Sequence, residues 1–395
     1  MSSDKTGPIG MQSTGAIIPR EDWDRAPWNR WTFQHVRELT PTAPVWRGAG
    51  PASILPRAAQ DLDRIAYTFD GEKRSIGGFL ESSYTDGFIV LHRGAIVAER
   101  YMNNMTERTP HLSQSVAKSV TGTVMGILIG RGLIDPEALV TDYLPELDAT
   151  AYRGAKVQHV LNMTSGVVFD ETYTALDSDI AKVDVACGWK PAKNPDWPKT
   201  MWEVILGLKK KECEHGASFR YRSIETDVLA FTMERVTGMR LPDIVSRELW
   251  APLGAEEDAY FTVDHAGYAL ADGGFNATLR DYARFGLLHA QHGFFNGRQI
   301  VPYEWIAATR QGDHEKFLGD YRNVLPKGAY KNQFWIEDAS RRAYMARGVF
   351  GQCIYIDPDA DFVMVKLSSW PDFLNETRAR EVLAAIHAIK QVLSA

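Results

Sequence analysis

The chain has 395 residues, of which 45% are hydrophobic and 24% charged, enough to bury a substantial core across two or three domains. Its 44 basic and 50 acidic residues leave a formal net charge of −6, so the composition offers no basic footprint for nucleic acid or an anionic membrane. No segment approaches the ~20 consecutive apolar residues that span a bilayer, which argues against a membrane-spanning helix.

The first fifteen residues are polar and glycine-rich, with no apolar run of the secretory kind. Residues 1–60, rich in Pro, Trp and Arg, read as an extended arm laid over a domain surface. Two short apolar runs, Asp86–Leu91 and Ala95–Tyr101, flank an Arg93-Gly94 turn and predict a β-hairpin. Val116 to Arg131 reads as a helix closed by Gly132. Helical patterns then dominate: 157–163, 201–210, 225–237, 241–249 and 279–291. Strands return at 333–337, 351–356 and 362–367, and a last helix covers 376–393. Strands at both ends with helices between predict an α/β fold. Its sheet domain is split in sequence, 1–110 with 270–395, around a mainly helical domain, 111–269. Cys187, Cys213 and Cys353 are odd in number and far apart, which fits neither a disulfide framework nor a zinc site and predicts a cytoplasmic protein.

The helix after Ser115 carries the chemistry. Its side chains are apolar or small nearly all round, the pattern of a buried helix, and Lys118 is its only ionisable residue before Arg131. Burial lowers the pKa of an isolated ammonium, so Lys118 is expected to be neutral and able to act as a base. Ser115 lies three residues earlier on the same face, at a helix start where unpaired N–H groups favour developing negative charge. A hydroxyl, an amine and an oxyanion site are the parts of acyl transfer. The bland alternative is a capping serine with a snorkelling lysine, and a second Ser-x-x-Lys at Ser2 and Lys5 shows how cheap the spacing is. Gly122, Gly126 and Gly130 predict close packing of a neighbouring helix. His289 and His292 could ligate a metal but read better as a solvated face. No Gly-x-Ser-x-Gly elbow, Walker A or dinucleotide fingerprint occurs.

Ser115–Thr123, followed by Gly130–Asp135, Asp142–Leu147, Val157–Gly166, Phe219–Ser223, Asp272–Thr278 and Arg280–Gly286, resembles the serine β-lactamase/penicillin-binding-protein family, its class C and esterase branches above all. Asn29–Phe33, Gly348–Gln352 and Val365–Asp372 resemble the nylon-oligomer amidase branch of that family. The resemblance implies a β-lactamase/transpeptidase-like fold: an antiparallel sheet flanked by helices, with an inserted helical domain. It implies Ser115 as nucleophile, Lys118 as its base, Tyr221 as the proton relay, and the N–H groups of Ser115 and Val349 as oxyanion hole. The family's usual Asn two residues after the tyrosine is Ser223 here. Its strand lysine is missing, with Arg347 the nearest cation, which tilts the expectation toward esters and amides without a β-lactam carboxylate. The same branch implies that Tyr173, Asp184, Asp272 and Ser223 line the substrate, with Asp184 receiving the ammonium of an ω-amino acyl group; a solvated loop acid remains the alternative for Asp184.

The expected function is cleavage of a small amide or ester of the 6-aminohexanoate-dimer kind through an acyl-enzyme, without metal or cofactor. A carboxylesterase, a β-lactamase or DD-peptidase, and a catalytically silent ligand-binding protein stay open. The expected partner is a small molecule, with no nucleic acid and no membrane; a homodimer is left open.

Overall fold

The structure, a computed structural model, describes residues 17–341 and 343–394. The Ser2/Lys5 pair and the first part of the N-terminal arm lie outside the described residues. Among the described residues no helix is long and apolar enough to cross a membrane.

The expected hairpin forms between Thr85–His92 and Ala95–Tyr101. Arg93 (φ 51°) and Gly94 (φ 76°) both sit in the left-handed region, the two-residue turn whose twist suits a hairpin. Thr85–His92 pairs with Phe362–Ser368 from the far end of the chain. From there the antiparallel sheet continues through Gln352–Asp357, Tyr344–Gly348, Phe334–Ile336 and Ala329–Lys331, seven strands in all. The helix Leu279–Ala290 lies on this sheet against Thr85–His92, Gln352–Asp357 and Phe362–Ser368. It comes so near that a Cβ on Gly286 would meet the Val363 side chain at 2.5 Å.

The helix Val116–Gly130 is buried from Val116 to Leu128, as its composition predicts. It packs between Tyr344–Gly348 of the sheet and the helix Ile224–Thr237. Its glycines serve close approach, though less to a helix backbone than to rings and a turn. A Cβ on Gly126 would meet Trp305 at 2.3 Å, one on Gly130 would meet Pro302 at 2.2 Å, and one on Gly122 the Asn332 carbonyl at 2.8 Å.

Several elements depart from the expectation. Thr42–Val45 of the arm is a strand, joined to Ala259–Thr262, Phe275–Ala277 and His111–Leu112 in a four-stranded sheet. These runs of two to four residues are too short to show alternation. The helix from Leu241 ends at Val245, runs on as a wider turn through Ser246–Trp250, and stops at Gly254 (φ 66°). Asp179–Ala186, expected as loop, is a helix capped by Ser178, whose hydroxyl accepts from the Ala181 N–H at 3.3 Å.

Candidate active site

Ser115 immediately precedes the first turn of the buried helix, and the residue before it, Gln114, has φ 49°. A non-glycine residue in the left-handed region stores strain, and here it turns the chain sharply into the helix. Lys118, 2% exposed, donates to Ser115 Oγ at 3.0 Å and to the Asp272 carbonyl at 2.7 Å. Its Nζ also lies 3.8 Å from Asp272 Oδ2 and 5.2 Å from the centre of the Tyr221 ring. The lysine is therefore neither isolated nor neutral by default. Burial is the largest single influence and pulls its pKa down, but the neighbouring acidic groups Tyr221, Asp272 and Glu171, with a hydrogen bond to Tyr221, outweigh it and hold the ammonium above its ordinary value.

Tyr221 stands just before the helix Ile224–Thr237, stacked on Trp335 at 5.3 Å. Its N–H donates to the Tyr321 hydroxyl at 3.2 Å. Burial raises its pKa, opposed by Lys118 and by its hydroxyl's hydrogen bonds to Ser115 and Lys118. Lys118 thus joins Ser115 by a hydrogen bond and lies over the ring of Tyr221. Ser223 is engaged by a neighbouring acid: its N–H (2.9 Å) and hydroxyl (2.5 Å) both donate to Glu171. Tyr173 also donates to Glu171, at 2.8 Å. Glu171 is the group the sequence reasoning missed. Burial raises its pKa, while Lys118 and these hydrogen bonds oppose the rise. The only signal for it was an acid two residues before Tyr173.

The strand Tyr344–Gly348 ends against Ser115. A Cβ on Gly348 would lie 2.6 Å from the Ser113 carbonyl and 3.0 Å from the Ser115 nitrogen, so only glycine lets the two backbones meet. Val349 opens a short helical turn there, followed by Phe350 at φ 61°. Ser115 and Val349 each stand at the start of a helical turn, where N–H groups have no intrahelical acceptor.

Two spaces open on either side of Ser115. One is a narrow chamber with about 50 Å³ of free space, lined by Ser115, Lys118, Tyr173, Asp184, Ser223, Asp272 and Val349 among others. The other is a cleft of about 800 Å³ that reaches past Tyr221, Trp335 and Arg347 to Ala379 and Val382 of the C-terminal helix Glu376–Leu393. Asp184 is on a helix and not a solvated loop acid. It pairs with Lys190 at 3.1 Å, and Lys190 reaches Asp24 at 3.2 Å. Burial, with the nearby Asp24 and Asp272 charges, raises Asp184 to about 6 against the pull of Lys190. Asp24 and Lys190 were not foreseen, because only the fold brings the arm to this helix.

His289 is not on a solvated face. It is buried, hydrogen-bonded to Tyr344 at 3.0 Å and to Thr123 at 2.9 Å, and burial lowers its pKa to about 3. Its nitrogens are engaged in the core, which removes the metal reading of His289 with His292.

Residues 70–388 match the family described as Beta-lactamase. The 6-aminohexanoate-dimer hydrolase of Paenarthrobacter ureafaciens is 38% identical over 381 residues, 94% of each chain. A solved structure from Bacillus anthracis, a candidate 6-aminohexanoate-dimer hydrolase, superposes with TM-score 0.87 at 30% identity, covering 95% of this chain and 97% of its own. A family VIII carboxylesterase shares the fold at TM-score 0.57 and 18% identity, covering 76% of this chain and 92% of its own. The chain belongs to the β-lactamase family and is a serine hydrolase.

Proposed function

We propose that this hydrolase cleaves small linear amides through an acyl-enzyme on Ser115, as a 6-aminohexanoate-dimer hydrolase would. The observation that carries the reading is the 3.0 Å contact of Lys118 Nζ with Ser115 Oγ at the head of a buried helix. The 38% identity to a hydrolase of that name supports the substrate class. Lys118 and Tyr221 act as one acid–base pair: with one proton fewer it accepts the Ser115 proton while the serine oxygen attacks the amide carbon. The N–H groups of Ser115 and Val349 receive the oxyanion. Tyr221 then protonates the leaving amine, the C–N bond breaks, and water releases the acyl group by the reverse path.

The amine-bearing acyl half enters the chamber toward Asp184, and the leaving half occupies the wide cleft. Arg347 lines that cleft with its guanidinium 5.5 Å over the Trp335 ring. It suits the carboxylate of a departing ω-amino acid. Reaction in the cytoplasm fits three cysteines that are all free.

Size of the cleft favours a second reading, a carboxylesterase for esters with bulky alcohols. The two separate on one experiment: turnover of 6-aminohexanoate dimer, p-nitrophenyl esters and nitrocefin, with mass spectrometry after a fluorophosphonate. Dimer hydrolysis and an adduct on Ser115 are expected. Ester cleavage without dimer cleavage replaces the amidase by the esterase, and an adduct on another serine ends the mechanism.

A further inference from the structure

Asp272 was expected to help hold a cationic substrate, and its surroundings give it other work. It is 4% exposed, and both of its oxygen-bearing groups face Lys118: the carbonyl at 2.7 Å and carboxylate Oδ2 at 3.8 Å. Two opposite charges withdrawn from water at this distance hold each other ionised, since either alone would carry an uncompensated desolvation cost. A second acid backs the first. Asp227, in the first turn of Ile224–Thr237 and 1% exposed, accepts the Ala271 N–H at 2.9 Å through Oδ1, while its buried Oδ2 has no partner among the described residues. An unpartnered buried carboxylate oxygen is the place for a proton, and burial together with the Asp272 charge raises Asp227 well above the usual carboxyl range. Burial raises Asp272 too, against the pull of Lys118, but Asp227 is raised further, so Asp227 takes the proton first and Asp272 keeps the charge.

We propose that Asp272 is a positioning residue, the resident counter-ion of Lys118, which fixes the amine as an ammonium aimed at Ser115 in the free enzyme and is not the group that binds a substrate ammonium. Four acidic groups face Lys118 from the elements around it. Tyr221 comes from the segment before Ile224–Thr237, Asp227 from that helix, Glu171 from the segment before Asp179–Ala186, and Asp272 from the segment before Phe275–Ala277. Of these, Asp272 is the carboxylate within ion-pair distance. The resting pair of Lys118 and Tyr221 must then lose one proton before Ser115 can be activated, so activity rises with pH. Removing the Asp272 charge makes the ammonium easier to deprotonate and moves that rise to lower pH.

The kinetic arm of the test rests on the Ser115 mechanism above; the titration arm does not. In lysine-labelled full-length protein, the Lys118 Nζ resonance, assigned by its loss in Lys118→Ala, is titrated by NMR. The wild-type midpoint is expected above the ordinary value of about 10.4. Asp272→Asn should lower it by about one to three pH units, as loss of an adjacent opposite charge does. The acid limb of kcat/KM for p-nitrophenyl acetate should move in the same direction, with KM for 6-aminohexanoate dimer rising no more than KM for the ester. A wild-type midpoint below 10.4 overturns the proposal, and this holds even if Asp272→Asn does not fold. An unmoved midpoint with a KM increase confined to the dimer also overturns it and returns Asp272 to the substrate. If neither compound is cleaved, the acyl-enzyme reading fails while the titration still decides the role of Asp272.

Discussion

Two lysines sit in the interior, and their surroundings drive them in opposite directions. Lys118 at the head of the helix Val116–Gly130 is 2% exposed and lies beside a carboxylate, and its ammonium is held up. Lys366 on the strand Phe362–Ser368 is 0% exposed and has only neutral partners: the Ser83 carbonyl at 3.1 Å, the Ser368 hydroxyl, and the faces of Phe79 and Trp370. Burial takes its pKa down to about 7, with the Asp86 charge too weak an opponent. The lesson is that hydrogen-bond acceptors satisfy the donors of a buried ammonium without offsetting its charge. Only a counter-ion does that.

Exchanging each lysine for a neutral residue should break the comparison in different observables. Lys118→Ala should lose at least about a thousandfold in kcat/KM for any substrate the enzyme cleaves, within the range for a missing general base. Lys118→Arg should not restore it, because guanidinium stays protonated in the working range. An active Lys118→Ala with a flat profile from about pH 5 to 9 would remove the lysine from the mechanism.

Next in size is a change that leaves Lys118 and its charge alone. Gly348→Ala places a Cβ 2.6 Å from the Ser113 carbonyl and so pushes the strand end from Ser115. Misplacing one oxyanion donor should cost about a hundredfold in kcat with a smaller effect on KM. Steady-state kinetics beside an unchanged circular-dichroism melt would check it.

The Lys366 side of the comparison is a matter of stability. The unfolded lysine titrates near 10.4 and the folded one at about 7, so the unfolded chain binds more protons between these values. Stability therefore climbs as pH rises from about 7 to about 10.4, and the penalty of the buried charge is complete below about 7. That penalty is at most on the order of 5 kcal/mol, less whatever the two hydrogen bonds return. Lys366→Met should raise the unfolding free energy at pH 7 by roughly 2 kcal/mol and flatten its pH slope, with kcat unaltered. Urea titrations of both proteins at pH 7 and 10 measure it; an undiminished slope in the variant would show that the charge is carried elsewhere.

Lys190 stands between the extremes, an ammonium shared by Asp184 and Asp24. Two carboxylates on one resident cation leave negative charge for a substrate ammonium. Asp184→Ala should accordingly reduce the preference for 6-aminohexanoate dimer over p-nitrophenyl acetate by about tenfold, a charged hydrogen bond being worth about 1.5–3 kcal/mol. Equal effects on both substrates would make Asp184 a support for the fold.

Much of this was legible in the residues. A helix apolar on every side announces its own burial, a two-residue turn at Arg93-Gly94 announces a hairpin, and Ser115 with Lys118 one turn apart announces a shared face. The short strands at 42–45 and 259–262 were not legible, because their pairing joins residues over two hundred positions apart. Nor was the helix Asp179–Ala186 recognised, although Ser178 offered a capping signal.

What the sequence by itself determined is a set of candidate groups: the order Ser115, Lys118, Tyr221 and the local geometry of one helical turn, which depend on contacts between near neighbours. The tertiary structure alone decided their protonation and their company. Asp272 is 154 residues from Lys118 along the chain, Glu171 is not a neighbour of Tyr221, and Asp24 reaches Lys190 from the N-terminal arm. Electrostatic energy depends on distance through space and on exclusion of water, and neither can be read from spacing along a chain. The same amino acid is therefore a held ammonium at 118 and a weakened one at 366, for reasons that exist only once the chain has folded.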